Sequence, residues 1–330
     1  MRAMAKPITK AAFTPTEQKR AHDLLASRVA FMMGRKFEEG DWSEVYCQAK
    51  GIPVVGWSNL NIDIMHDALG VEFKMIRYRS KPSVREACGL TLMHPAATRS
   101  IRVPSPTVKA NRAMRSILAQ YGDLLDQRRE RVREAAGGVE PDMRTGWLLW
   151  QESLREFLYF EEETLKPDPT SYYAEWVEHE QGGVRKASVS LWIYEKDTGR
   201  KRYSVTTAAG AKIQPYFDVP SPQDPNLYVF IVQGEAAERG LIRLWISEAT
   251  AHELERILGS LDAEEVSRAI IQASGGSAGG ASTRPISIYS ARPILLEGTA
   301  YEALRAMFPG GVSDQHLVEL FVQYLREKTS

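Results

Sequence analysis

The stretch from Asn59 to Ile76, NLNIDIMHDALGVEFKMI, sets a carboxylate and an ammonium among residues that otherwise read as a buried strand. Glu72 and Lys74 alternate with Val71, Phe73 and Met75, yet Glu and Lys are depleted in strands. The pattern predicts a hairpin of residues 59–66 and 71–78 across the turn Asp67-Ala68-Leu69-Gly70, with Asp leading and Gly closing. If His66 stands opposite Val71, then Met65 opposes Glu72 and Asp63 opposes Lys74. Directly opposed residues share a face, so Asp63, Glu72 and Lys74 fall on one side of a sheet whose strands lie roughly 5 Å apart. Two carboxylates can hold a divalent cation such as Mg²⁺. A lysine beside them can position or deprotonate a water, or stabilise the charge growing on a phosphate. The three groups together suit metal-assisted cleavage of a phosphodiester. The set depends on register, because a one-residue slip moves Asp63 to the opposite face. Asp67, read as a turn residue, is then the fallback ligand. The plain alternative is a cross-strand ion pair of Asp63 and Lys74, worth little on a half-exposed sheet.

The elements that must position these groups are legible in outline. Leu24, Leu25, Val29 and Met32 recur at helical spacing over residues 15–33, and Gly34 is a stop. Asp41 followed by Glu44 forms a capping-box pattern that opens a helix over 41–50, ended by Gly51. Glu44 is thereby a cap residue. Residues 53–57, 90–95 and 100–104 read as short strands. A helix is expected over 107–136 on Met114, Ile117, Leu118, Leu124 and Leu125, and another over 147–163, WLLWQESLREFLYFEEE. A β-rich region follows, with strands in SVSLWIYEK, KRYSVTT, NLYVFIVQG and LIRLWIS, and then the helix EATAHELERILGSL. SGGSAGGAS at 274–282 reads as a flexible linker, PISIY as a strand, and two short helices close the chain. No internal repeat is evident. The chain divides near residue 140 into an α/β part, 1–140, and a second α+β region, 141–330.

Composition narrows the class. The 330 residues are 43% hydrophobic and 25% charged, as in ordinary globular proteins. No apolar run reaches spanning length, and the first twenty residues lack the apolar core of a signal peptide. The expectation is a cytoplasmic protein without a membrane partner. Cys47 and Cys88 are too few for a disulfide framework or a cysteine zinc site and read as small core residues. Net charge is zero, but residues 77–133 hold thirteen basic and four acidic residues. That local excess, mostly Arg, suits phosphate contacts through Arg77, Arg79, Lys81, Arg99, Arg102, Lys109 and Arg112. The bland alternative is a solvated helix face balanced by the acidic segment 151–180. Trp192, Tyr194, Lys201, Arg202, Tyr203, Lys212, Tyr216, Arg243 and Trp245 interleave aromatic and basic residues, which suits either a nucleic-acid face or a sheet core with solvated edges. There is no P-loop, GxGxxG, HExxH or nucleophile elbow. His66 reads as a turn-flanking residue and His94 as structural.

Asp63, Glu72-x-Lys74 and the preceding helix with Glu44 resemble the PD-(D/E)xK nuclease superfamily, the fold of most type II restriction endonucleases. The resemblance covers residues 38–135, and Ile62 stands where the family's proline precedes the Asp. It implies a restriction-endonuclease-like core, a mixed sheet flanked by helices, with the additional α+β region serving DNA recognition or dimerisation. It implies Asp63, Glu72 and Lys74 as catalytic residues, Asp63, Glu72 and Glu44 as metal ligands, and Mg²⁺ as cofactor. The implied activity is hydrolysis of double-stranded DNA by a symmetric homodimer. The rivals are a repair or junction nuclease on the same fold and a non-catalytic nucleic-acid-binding protein.

Overall fold

The structure is a computed structural model that describes residues 9–32, 36–53, 62–95, 101–180, 188–206, 212–274, 291–309 and 313–329. These residues form a mixed α and β fold with three sheets and seven helices. β1 (Thr9–Lys10), α1 (Pro15–Ala30) and α2 (Glu39–Lys50) precede a hairpin of β2 (Ile64–His66) and β3 (Leu69–Arg77). β4 (Thr91–Met93) and the long α3 (Ala110–Ala135) lead to β5 (Asp142–Trp150) and β6 (Glu156–Glu163). Then come β7 (Tyr172–His179), β8 (Ser188–Glu195), β9 (Lys201–Thr206), β10 (Lys212–Asp218) and β11 (Tyr228–Ile231). The chain closes with β12 (Glu235–Ala236), β13 (Leu241–Ser247), α4 (Glu248–Leu258), α5 (Ala263–Ala273), β14 (Ala291–Glu297), α6 (Gly298–Met307) and α7 (Asp314–Thr329).

The first sheet has the order β1-β6-β5-β3-β2, with β11 also on β6. β3 runs parallel to β5 from Leu69–Asp142 to Arg77–Trp150. A parallel neighbour needs a crossover connection, and α3 lies in it. The sheet takes β2 and β3 from before residue 140 and β5, β6 and β11 from after it, so that position falls inside a shared sheet. α1 and α2 cover one face with Trp42 and Tyr46 against Phe73, Tyr159 and Phe230. On the other face Ile76, Trp147 and Phe160 meet Phe217 of the second sheet. Trp147 stacks on Phe217 at 3.8 Å between ring centres. The second sheet, β4-β10-β9-β8-β7, packs Leu191, Ile193 and Val205 on Met114, Ile117 and Leu118 of α3. Gly146 of β5 lies beside Phe73, where an added Cβ would sit 2.9 Å from the Phe73 ring and 2.5 Å from the Tyr159 hydroxyl.

Several elements differ from their reading in the sequence. Residues 147–163 are the two antiparallel strands β5 and β6, not a helix, turning near Leu154 at φ 51°. Both strands are covered on both faces, and Leu148, Leu149 and Phe157 to Phe160 are fully buried. Such strands lose the period of two and read as continuous apolar runs. α2 opens three residues from where its capping pattern suggested. The Glu38 N–H donates to Asp41 Oδ2 at 2.9 Å, so Asp41 sits inside the first turn and Glu44 has no capping role. Residues 101–104 form no strand. The strands expected at 53–57 and 285–289, and all of the linker beyond residue 274, lie outside the described residues, apart from Pro53. A repeat is present after all. β13-α4-α5 and β14-α6-α7 are the same strand–helix–helix unit, and the two strands pair antiparallel. Glu248-x-Thr250-Ala251-x-Glu253-x-x-Arg256 recurs as Glu297-x-Thr299-Ala300-x-Glu302-x-x-Arg305. The buried position Leu254 becomes Ala303, with Leu304 taking the inward place, and this hides the likeness.

Candidate functional site at the open edge of the hairpin

β2 pairs with β3 through Ile64–Val71, Met65–Gly70 and His66–Leu69, around a two-residue turn of Asp67 and Ala68. Asp67 adopts φ 48°, a left-handed conformation that Asp tolerates better than most residues. The register differs by two residues from the expected one, and an even shift keeps every side chain on its face. Asp63 consequently falls opposite Glu72 rather than Lys74. The Asp63 carboxylate reaches the backbone of β3, where Oδ2 accepts the Phe73 N–H at 2.6 Å. It thus caps the strand just where the paired part of β2 has ended. Glu72 lies between two cations: the Lys74 ammonium donates to its Oε1, and the Arg128 guanidinium of α3 pairs with its Oε2. The side chains of Glu72, Lys74 and Arg128 are 18, 27 and 15% exposed, enough to reach solvent and little enough to feel one another strongly.

A carboxylate that the sequence reading passed over completes the cluster. Glu39, the first residue of α2, shares a hydrogen bond with Asp63. Burial pushes the Glu39 carboxyl up to about 7, with the charges of Asp63 and Glu72 adding to the rise and Lys74 opposing it. Burial also raises Asp63, against the lowering effect of the Phe73 N–H. Both shifts run the same way, so the pair binds a proton up to a higher pH than separate carboxyls would. The signal for Glu39 was its place at a helix N-terminus beside Glu38 and Asp41, where carboxylates are common for electrostatic reasons alone. Glu44, the expected helix ligand, points elsewhere: it pairs with Arg28 of α1 and accepts from Gln48 Nε2 at 3.0 Å.

The face of the sheet that carries Glu72 continues across β5 and β6 through Thr145 to Glu162. Burial pushes Glu162 up to about 7, although it accepts the Trp147 indole N–H at 2.8 Å. Tyr121 of α3 is pushed up to about 12 by burial and by the charge of Glu72. His66 and Asp67 stand at the hairpin tip, 3.6 Å apart, with Asp67 almost fully exposed. His94 is buried beside Trp147, and Cys47 is buried in the core.

The basic segment is partly neutralised. Arg77 pairs with Glu152, Arg129 with Glu140, and Arg133 with Glu130 and Glu140. Arg79, Lys81, Arg102, Lys109 and Arg112 are exposed, and Arg99 lies outside the described residues. Of the aromatic and basic set in the second half, Trp245 is buried and Arg202 pairs with Glu195 and Asp218.

Carboxylate oxygens are the donors that hard cations take, so Asp63, Glu72 and Glu39 fit Mg²⁺ by type. Their present positions satisfy them otherwise. Among the described residues no group of three or more His, Cys, Asp or Glu side chains is set to hold a metal ion. Instead Glu39 and Asp63 share a hydrogen bond, while Lys74 and Arg128 serve Glu72. Neither a family model, nor a curated protein, nor a solved structure matches this chain.

Proposed function

We propose that this protein is a Mg²⁺-dependent endonuclease acting on double-stranded DNA, with a core of the restriction-endonuclease type. One observation carries the reading: Asp63, Glu72 and Lys74 gather at one strand edge, joined by a helix-borne Glu39. That is the group of residues the family resemblance calls for, with Glu39 in the place first given to Glu44. Asp63 and Glu72 would hold the metal, assisted by Glu39. When bound, the ion supplies Lewis-acid polarisation of a phosphate oxygen and a more acidic water. Lys74, beside Glu72, orients the attacking water and offers positive charge to the phosphate as it gains charge. Phe73 N–H fixes the Asp63 carboxylate, so its aim depends on the β3 backbone rather than on a free rotamer. Exposed Arg79, Lys81, Arg102, Lys109 and Arg112 are candidates for phosphate contacts. Cleavage of both strands with one site per chain favours a symmetric homodimer, and sequence-specific cutting of the type II kind is the form of the activity we infer, in the cytoplasm.

The Arg128–Glu72 pair favours a second reading, a non-catalytic nucleic-acid-binding protein whose hairpin charges are a structural ion-pair cluster. The test is incubation of methylated and unmethylated plasmid with the purified chain, in Mg²⁺ and in EDTA. Asp63→Asn keeps an oxygen for the Phe73 N–H while removing the charge, and Lys74→Ala removes the ammonium. Discrete Mg²⁺-dependent fragments from the wild type, slowed by about 10²-fold or more in both variants, support the nuclease. Intact DNA in every lane, with all proteins folded, leaves the ion-pair cluster. Fragments of branched substrates only would assign the chain to junction or repair chemistry.

A further inference from the structure

Among the described residues, the second sheet has one covered and one open face. Ala174, Leu191, Ile193, Val205 and Ile213 point to α3 and are buried. The opposite face carries a row of rings that are only half buried: Tyr173, Trp192, Tyr194 and Tyr216. Tyr173 of β7 and Tyr194 of β8 are directly opposed, and their rings stack at 5.1 Å between centres and 16° between planes. Trp192 lies two residues along β8 on the same face. The Lys201 ammonium sits among these rings, 3.4 Å from the centre of Trp192 and 5.0 Å from that of Tyr216. Lys212 adds a second cation, paired across from Thr206, while Glu175 opposite Trp192 is the acid beside them.

We propose that this face is a platform for single-stranded DNA, on which unpaired bases stack against Trp192 and the Tyr173–Tyr194 pair while Lys201 and Lys212 meet the phosphates. The chemistry selects the occupant. An apolar protein surface would cover the rings but bring no further anion to the Lys201 ammonium that it buries, which is costly. A nucleotide supplies both a flat π-face and a negative charge within one residue. Aromatics on neighbouring strands of an open sheet, interleaved with basic side chains, are how sheets bind unpaired bases with little sequence preference. Same-face residues along one strand are about 7 Å apart, so Trp192 and the Tyr173–Tyr194 pair can each take a base. The choice of DNA over RNA rests on the proposed nuclease; the platform itself does not.

The experiment is fluorescence anisotropy of a labelled oligothymidine with the full chain in EDTA, beside an oligouridine and a duplex of the same length. Trp192→Ala and Tyr194→Ala are each expected to weaken oligothymidine binding about 5- to 100-fold. Lys201→Gln is expected to flatten the dependence on salt by about 0.7 in the log–log slope. Urea unfolding of each variant checks that the sheet is intact. Unchanged affinity in folded Trp192→Ala and Tyr194→Ala, or a duplex bound as tightly as the single strand, overturns the platform. Tighter oligouridine binding overturns the DNA assignment. Asp63→Asn is run alongside: oligothymidine bound by a chain that cuts nothing supports the platform independently of the nuclease.

Discussion

The Glu39–Asp63 pair makes stability depend on pH in a direction that can be worked out. Glu39 has a reference value of 4.5 and is pushed up to about 7 in the folded chain. Between those values the folded chain keeps a proton that the unfolded chain has released. Stability contributed by this group is therefore complete below about 4.5 and is lost as pH rises through about 7. The full shift corresponds to about 3 kcal/mol at ~1.4 kcal/mol per pH unit. Glu39 is incompletely buried, so solvent screening reduces the expected loss to about 1–2 kcal/mol. Glu39→Gln holds a neutral donor toward Asp63 at every pH and removes this dependence. Urea unfolding of both proteins at several values from about pH 5 to pH 8.5 gives the difference directly. Wild type should lose ~1–2 kcal/mol relative to the variant across that range. A difference that stays constant with pH would falsify the retained proton and the convergence of the two carboxyl groups.

Two further substitutions probe the surroundings of the cluster. Arg128→Ala leaves Glu72 with Lys74 alone and should cost about 1–3 kcal/mol; Arg128→Met restores the packing but not the charge. Equal unfolding midpoints for wild type and both variants would show that the ion pair contributes nothing. Gly146→Ala forces a Cβ against the Tyr159 hydroxyl and the Phe73 ring. It should cost about 1–3 kcal/mol by overpacking, partly recovered in the double variant with Phe73→Leu. A neutral Gly146→Ala in the urea series would mean that β5 moves aside freely under the strand that carries Glu72 and Lys74.

Sequence alone determined the features that depend on neighbours along the chain. Glu72 and Lys74 in an apolar strand, the hairpin, α1, the long amphipathic α3 and the alternating strand β8 all carry a local period or a turn residue. The placing of Glu72 and Lys74 on one face was legible because the side-chain period of a strand is two, whereas Asp63, which precedes β2, meets β3 through the Phe73 N–H. Tertiary structure decided whatever depended on contacts between distant segments. β5 and β6 read as a helix because burial on both faces erased their alternation. Glu39 rather than Glu44 joined the cluster because the orientation of α2 on the sheet, not helix spacing, aims one turn at Asp63 and the other at Arg28. The neutralisation of Glu72 by Arg128, some fifty residues away on α3, arises only when that helix crosses between two parallel strands. Local periodicity records which side of an element is apolar, and charge clusters are made by which elements meet.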